Sequence, residues 1–401
     1  MQKRLVVCLD GTWNAADSKR AETNVVRLSR AVRANSGTDR IPQLCIYLKG
    51  IGTSGSQVER LVAGATGAGI EDIIRTAYLF LAQNYVPAHK DDDGNDVPAD
   101  EIFLFGFSRG AFAARSLAGL IGSAGLLKRK SLGELETAWT YYRDFKNRSP
   151  QDFVQRYARK AIETHAEMAI TFLGVWDTVG ALGIPVGFLG ELSGLVHGFH
   201  DTSPSRIIKH GAQALAIDEY CDEFVPTLWT GEAPIGSTIE QVWFAGCHSD
   251  VGGGYFDRDL ADIPLLWMID RAKAAGLKLD EETPGLLPRA AALNVLAPTH
   301  DPREGWSVKD RLTPTIRSVC EKAVAVGMME RLYRPLGPNG KPVKTINEQV
   351  HWTVAERFGK PGLTSPKDKA TGRKSVIYTP KNLRPLFDAA GAPLATTNVW
   401  L

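Results

Sequence analysis

The stretch EIFLFGFSRGAFAAR, residues 101–115, holds one serine between two glycines, after an apolar run and before an alanine-rich one. Ser108 lies in a G-x-S-x-G pattern. A buried strand feeding that pattern and a helix leaving it would force the serine into a strained turn. Gly106 and Gly110, two residues away on either side, are small enough to let the backbone pass. The start of the helix would aim free N–H groups and the positive end of its dipole at the same point. An oxyanion formed on an attacked carbonyl would be stabilised there, with the Arg109 N–H as one donor. The competing reading is a tight strand-to-helix turn in which Ser108 only caps the helix.

A nucleophilic serine needs a base, and the base needs an orienting partner. FLGVWDTVGALG places Asp177 at the end of an apolar strand, and VWFAGCHSDVGGGY places His248 at the end of another. In open parallel sheets, sites form at the carboxyl ends of strands. Ser108, Asp177 and His248 all fall at such ends, in the order Ser, Asp, His. Asp250 is a rival orienter, and His351 in NEQVHWTVAERF a rival base. His165, His197, His200, His210 and His300 read as surface residues. A second oxyanion donor is expected from LDGTWN, where Gly11 and Thr12 offer N–H groups and Asp10 reads as an interior carboxylate that fixes the loop. KGIGTSG, residues 49–55, is a weaker source. A cation bound near Asp10 and Asp250 is conceivable, but no clustered ligand motif calls for one and no cofactor is expected.

These residues need a scaffold, and strand and helix patterns alternate along the chain. RLVVCL, QLCIYL (43–48), EIFLFGF, AITFLGVWD (169–177) and EQVWFAGCH (240–248) read as strands. Residues 23–35, 70–85 and 109–125 carry helical spacing. Such alternation predicts an α/β fold, a mostly parallel sheet flanked by helices. Residues 1–280 read as the catalytic domain, with lid-like, helical insertions near 128–167 and 181–204. Residues 281–401 read as a C-terminal helical and loop extension packed on the catalytic domain, with helical pieces near 315–331 and 347–358.

Composition narrows the function classes. Hydrophobic residues make up 44% and charged residues 23% of the 401, an ordinary globular balance. The net charge of +2 gives no broad basic surface for nucleic acid. Five scattered cysteines without CxxC spacing argue against a disulfide framework or a zinc knuckle. The apolar start, Leu5 to Leu9, is too short for a signal peptide and reads as a strand, and no run is long enough for a membrane helix. Synthesis in the cytoplasm is expected, with export by a signal-independent secretion machine still open.

Taken together, CLDGTWN, YLKGIGT, GFSRGAFAAR, FLGVWDTVGALG, ALAIDEYCDEFVPTLW and QVWFAGCHSDVGGGY resemble the large family of α/β-hydrolases that includes the class 1 lipase effectors of bacterial type VI secretion. NEQVHWTVAERF is similar to that family's downstream histidine segment. The resemblance implies an α/β-hydrolase-like fold and a Ser-Asp-His esterase. In the family's best-studied branch the substrates are glycerophospholipids cleaved at an acyl ester. Ser108, Asp177 and His248 match the family motifs by position. A lipase or phospholipase is therefore expected, with an acyl-ester or phospholipid substrate and transient contact with a membrane surface. Two other classes stand beside it: a metal-dependent phosphoesterase built on Asp10, His248 and Asp250, and a non-catalytic binding protein on the same fold. Oligomeric state is not legible.

Overall fold

The computed structural model describes residues 1–11, 21–34, 41–50, 69–144, 148–165, 167–180, 202–303, 312–337, 339–365 and 374–400. Among them, eight strands form one parallel sheet. They are β1 (Arg4–Leu9), β2 (Gln43–Leu48), β3 (Glu101–Phe107), β4 (Ile170–Trp176), β5 (Ile208–Ala216), β6 (Thr238–Phe244), β7 (Glu348–His351) and β8 (Val399–Trp400). The spatial order is β2-β1-β3-β4-β5-β6-β7-β8. β1, β3 and β4 are buried along nearly their whole length, as a parallel sheet covered on both faces requires.

The layers follow from the connections. Helix α1 (Asn24–Ala31) leaves β1 and packs on one face with α7 (Asp259–Ala274), around Val6, Phe103, Phe105 and Met268. Helices α2 (Ile70–Asn84) and α3 (Arg109–Ala124) pack on the other, around Val7, Leu104, Tyr78 and Leu117. The strand order reverses at β1, so a crevice opens between the carboxyl ends of β1 and β3. The register sets Leu9 beside Gly106 and Phe107 beside Trp176. The chain therefore steps off β1, β3 and β4 at one edge, at Asp10, Ser108 and Asp177.

Three expectations change. Residues 128–167 are not a lid: helices α4 (Leu135–Asp144) and α5 (Pro150–Arg156) bury Trp139, Tyr141 and Phe153 in the same core as α2 and α3. Each such aromatic contributes roughly 1.5–3 kcal/mol of burial, which anchors the segment as a layer. The described residues of the C-terminal part are mostly strand and loop. Thr315–Arg317 and Arg331–Tyr333 pair as strands, and Glu348–His351 and Val399–Trp400 extend the main sheet. Its described residues include the short α-helix α8, Trp352–Arg357. Finally, β5 was not anticipated, although it is central. Its buried Gln213 breaks the apolar run and is satisfied by Gln241, Thr178 and the Thr227 carbonyl. The expected insertion near 181–204 falls almost wholly outside the described residues.

Candidate active site

β3 ends at Phe107 and α3 begins at Arg109, so Ser108 alone makes the turn. Its φ of 58° and ψ of −125° lie in a region that costs a non-glycine residue about 1–3 kcal/mol. The turn is held by Ser108 N–H donating to the Trp176 carbonyl at 3.0 Å and Phe112 N–H donating to the Ser108 carbonyl at 3.2 Å. The flanking glycines are sterically required. A Cβ on Gly110 would lie 2.2 Å from the Leu9 carbonyl oxygen, and one on Gly106 would lie 2.5 Å from that of Gly110. The Ser108 hydroxyl makes no capping bond to α3. The helix-cap reading therefore does not account for the serine.

Asp177 follows β4, is fully buried, and also has positive φ, 37°. One carboxylate oxygen, Oδ1, accepts from the Ala216 N–H at 3.0 Å and from Arg317 Nη1 at 2.7 Å. The other, Oδ2, accepts from Arg317 Nη2 at 3.0 Å and from His248 Nδ1 at 2.6 Å. Burial alone would raise this carboxyl; the charge of Arg317 and the bond from His248 overcome it and hold it at about 2. Asp177 is thus ionised at any physiological pH. A proton on His248 Nδ1, directed to that carboxylate, leaves the Nε2 lone pair free to accept.

His248 opens the short helix α6 (His248–Gly252) after β6. Its ring lies between Phe107, centroids 4.6 Å apart, and Phe224, 4.8 Å and nearly parallel. Phe107 is the residue before Ser108, so the imidazole is packed directly on the strand that presents the serine. Gly252 makes that approach possible: a Cβ there would sit 1.9 Å from the Phe107 ring. The loop after β5 clamps the backbone. Glu219 accepts from the His248 N–H at 3.2 Å, and Asp218 accepts from the Gly246 N–H at 2.7 Å. Burial pushes the Asp218 carboxyl up to about 6, and that of Glu219 above its usual range.

The other sequence candidates separate by partner. Asp10 is buried; it accepts from Gly11 N–H at 2.7 Å, Thr23 Oγ1 at 2.9 Å and Tyr47 Oη at 2.7 Å. It ties the end of β1 to the start of α1 and to β2, and burial pushes it up to about 6. The Gly11 N–H is therefore already given to a carboxylate and is not a free oxyanion donor. Thr12 and residues 51–55 lie outside the described residues. Arg109 opens α3, directly after Ser108.

Asp250 does not orient His248. It accepts from Cys247 N–H at 3.0 Å and His300 Nδ1 at 2.6 Å. His300, expected at the surface, is buried and stacked on Tyr255 with ring centroids 3.7 Å apart. His351 is no base for Ser108. It is packed between Phe244 and Trp400, caps α8 through Nδ1, and burial pushes it down to about 3. With His248 Nδ1 on Asp177 and Asp250 on His300, the metal set Asp10–His248–Asp250 does not form. Among the described residues no three His, Cys, Asp or Glu are grouped to hold a metal, and no helix is long and apolar enough to cross a membrane.

Arg317 escaped sequence reasoning. It is fully buried and 140 positions from Asp177, in a short strand with no motif around it. Phe224 and Glu219 lie inside the stretch ALAIDEYCDEF, which marked the region without assigning roles.

A family model described as type VI secretion system, phospholipase effector Tle1-like, catalytic domain matches residues 3–271. An uncharacterized protein of Saccharomyces cerevisiae, YEL023C, is 27% identical over 247 residues, covering 57% of this chain and 33% of its own. The crystal structure of an uncharacterized protein from Pseudomonas aeruginosa aligns over 73% of this chain and 48% of its own, at 16% identity and a TM-score of 0.38. The Tle1 effector bound to the VgrG spike of the type VI secretion system aligns over 64% and 51%, at 19% identity and a TM-score of 0.35. The chain thus spans about a third of the curated relative and about half of each solved chain.

Proposed function

Because the chain belongs to the Tle1-like phospholipase effector family of type VI secretion, we propose that it is a serine carboxylester hydrolase that cleaves an acyl ester of a phospholipid. The observation that carries this reading is the 2.6 Å bond from His248 to a buried, ionised Asp177, packed against the strained and uncapped turn at Ser108.

In this mechanism Ser108 Oγ attacks the ester carbonyl carbon while His248 Nε2 takes the hydroxyl proton. Asp177 stays ionised, keeps the imidazole in the tautomer with Nε2 unprotonated, and stabilises the imidazolium. The tetrahedral oxyanion is held by the Arg109 N–H, reinforced by the dipole of α3. Collapse expels the alcohol, which takes the proton from His248. Water, deprotonated by the same Nε2, then attacks the acyl-serine and releases the fatty acid. Arg317 touches no reacting atom. It is a positioning residue that fixes both oxygens of Asp177.

The test compares wild type with Ser108→Ala, each checked for folding by circular dichroism, on a short-chain nitrophenyl ester and on phospholipid vesicles with and without chelator. Turnover lost in the variant and indifferent to chelator supports the reading. Equal turnover in both proteins overturns it. Membership of an effector family also supports export through that secretion machine; transfer of the chain to a co-cultured cell, dependent on the donor's secretion apparatus, checks it.

A further inference from the structure

A polar cavity lies along α3, away from the elbow. It measures about 350 Å³, within the range of ligand sites. Arg115, Gly119, Gly122 and Ser123 line one face of the helix, at the spacing that stacks side chains on one stripe. The glycines let polar groups come close. A Cβ on Gly119 would be 3.0 Å from the Tyr142 hydroxyl, and one on Gly122 would be 2.4 Å from Ser205 Oγ.

Among the described residues the cavity gathers three guanidiniums, Arg115, Arg148 and Arg206, and no acidic residue lines it. Arg115 is 7% exposed, yet its partners are neutral: the Thr227 carbonyl at 2.5 Å, Gln213 Oε1 at 3.4 Å and the Trp229 ring at 4.9 Å. Burial pushes it down to about 9. Arg148 lies over the Tyr142 ring at 5.0 Å, and its Nη1 is buried with no hydrogen-bond partner. Three other buried arginines pair with carboxylates, Arg4 with Glu101, Arg27 with Asp262 and Arg317 with Asp177, whereas Arg357 gives its bonds to the Val295 and Ala297 carbonyls and lies over the Tyr378 ring. Buried cations left without an anion are costly. A guanidinium fork matches the oxygens of a phosphate, and a pair of forks with nearby hydroxyls matches a phosphate ester.

We propose that this cavity is an anion site that binds a phosphate group, as a free phosphate ester or as the head group of a lipid. It is distinct from the ester-cleaving centre: Arg115 lies seven residues, about 10 Å, along α3 from Ser108.

The test uses the full chain carrying Ser108→Ala, so that lipid probes are not consumed. Inorganic phosphate, glycerol 3-phosphate and phosphatidylglycerol vesicles are titrated by calorimetry and by thermal shift, against chloride at equal ionic strength. Saturable binding is expected, weakened by about tenfold or more in Arg148→Gln with Arg206→Gln, as loss of charge-assisted bonds predicts. Binding of the soluble probes marks a free phosphate ester as sufficient; binding of vesicles alone, with the same arginine dependence, marks a lipid head group. Should Arg148→Gln not fold, Arg206→Gln and Arg206→Glu at the exposed rim carry the comparison. No saturable binding of any probe, or folded arginine variants that bind like the parent, overturns the site. Because binding is read in a catalytically silenced protein, its outcome is independent of the hydrolase reading.

Discussion

Replacing Arg317 by methionine should disable the site without touching a reacting atom. Arg317 gives two bonds to Asp177, at 2.7 and 3.0 Å, and further bonds to the carbonyls of Ala216 and Phe224. Asp177 sits at about 2 instead of 3.8 despite full burial. That depression stabilises the fold by roughly 2–3 kcal/mol. Its sign is that of a lowered carboxyl: present in full above about pH 4, lost as pH falls towards 2. Without Arg317 a buried carboxylate keeps only His248 and one N–H, and breaking such a pair costs about 3–5 kcal/mol. Burial then dominates and Asp177 takes up a proton at higher pH. Three readouts follow. Urea unfolding at pH 7 should show the loss of 3–5 kcal/mol, a large part of the roughly 5–15 kcal/mol typical of a domain. The fall in kcat/KM on a soluble ester should be about a hundredfold, the scale of a misplaced catalytic group. The acidic limb of the kcat/KM profile should move to higher pH. Arg317→Lys, which keeps one charge but not the fork, should fall between. Unchanged stability with an unchanged pH profile in Arg317→Met would refute the idea that this arginine sets the state of Asp177.

Other consequences are direct. Ser108→Gly should lose ester turnover while gaining about 1 kcal/mol in urea unfolding, because glycine tolerates φ of 58°. Gly110→Ala should cost at least about 1–3 kcal/mol, since its Cβ meets the Leu9 carbonyl at 2.2 Å and backbone must move; wild-type stability in that variant contradicts the packing argument. His248→Asn should abolish ester turnover and His351→Asn should retain it, which separates base from helix cap by a single kinetic comparison. Asp10 and Asp218, both raised to about 6, bind protons more tightly folded than unfolded. Stability should therefore fall as pH rises from about 4 to 6, and Asp10→Asn should flatten that slope in a series of melts.

The parts of this protein legible in the chain were those written in neighbouring residues. Strand β3, the elbow and α3 follow from an apolar run, two small residues at fixed offsets and a helical stripe, all within residues 101–125. Steric exclusion at Gly106 and Gly110 acts over a few bonds, so local sequence suffices to predict it. Asp177 and His248 were visible for the same reason, as single polar residues closing apolar strands. Their meeting at 2.6 Å was an inference from parallel topology that the tertiary structure bears on directly. What no local pattern carried was the choice of partner. Asp250 sits two residues from His248 yet bonds His300, fifty positions away. The Gly11 N–H looked free and is taken by its neighbour Asp10. Strand β5 hid because Gln213 is satisfied by groups from other parts of the chain, the Gln241 and Thr178 side chains and the Thr227 carbonyl. Arg317 reaches Asp177 across 140 residues. Hydrogen bonds and ion pairs are decided by which groups meet once water is excluded, and that is settled by the packing of the sheet.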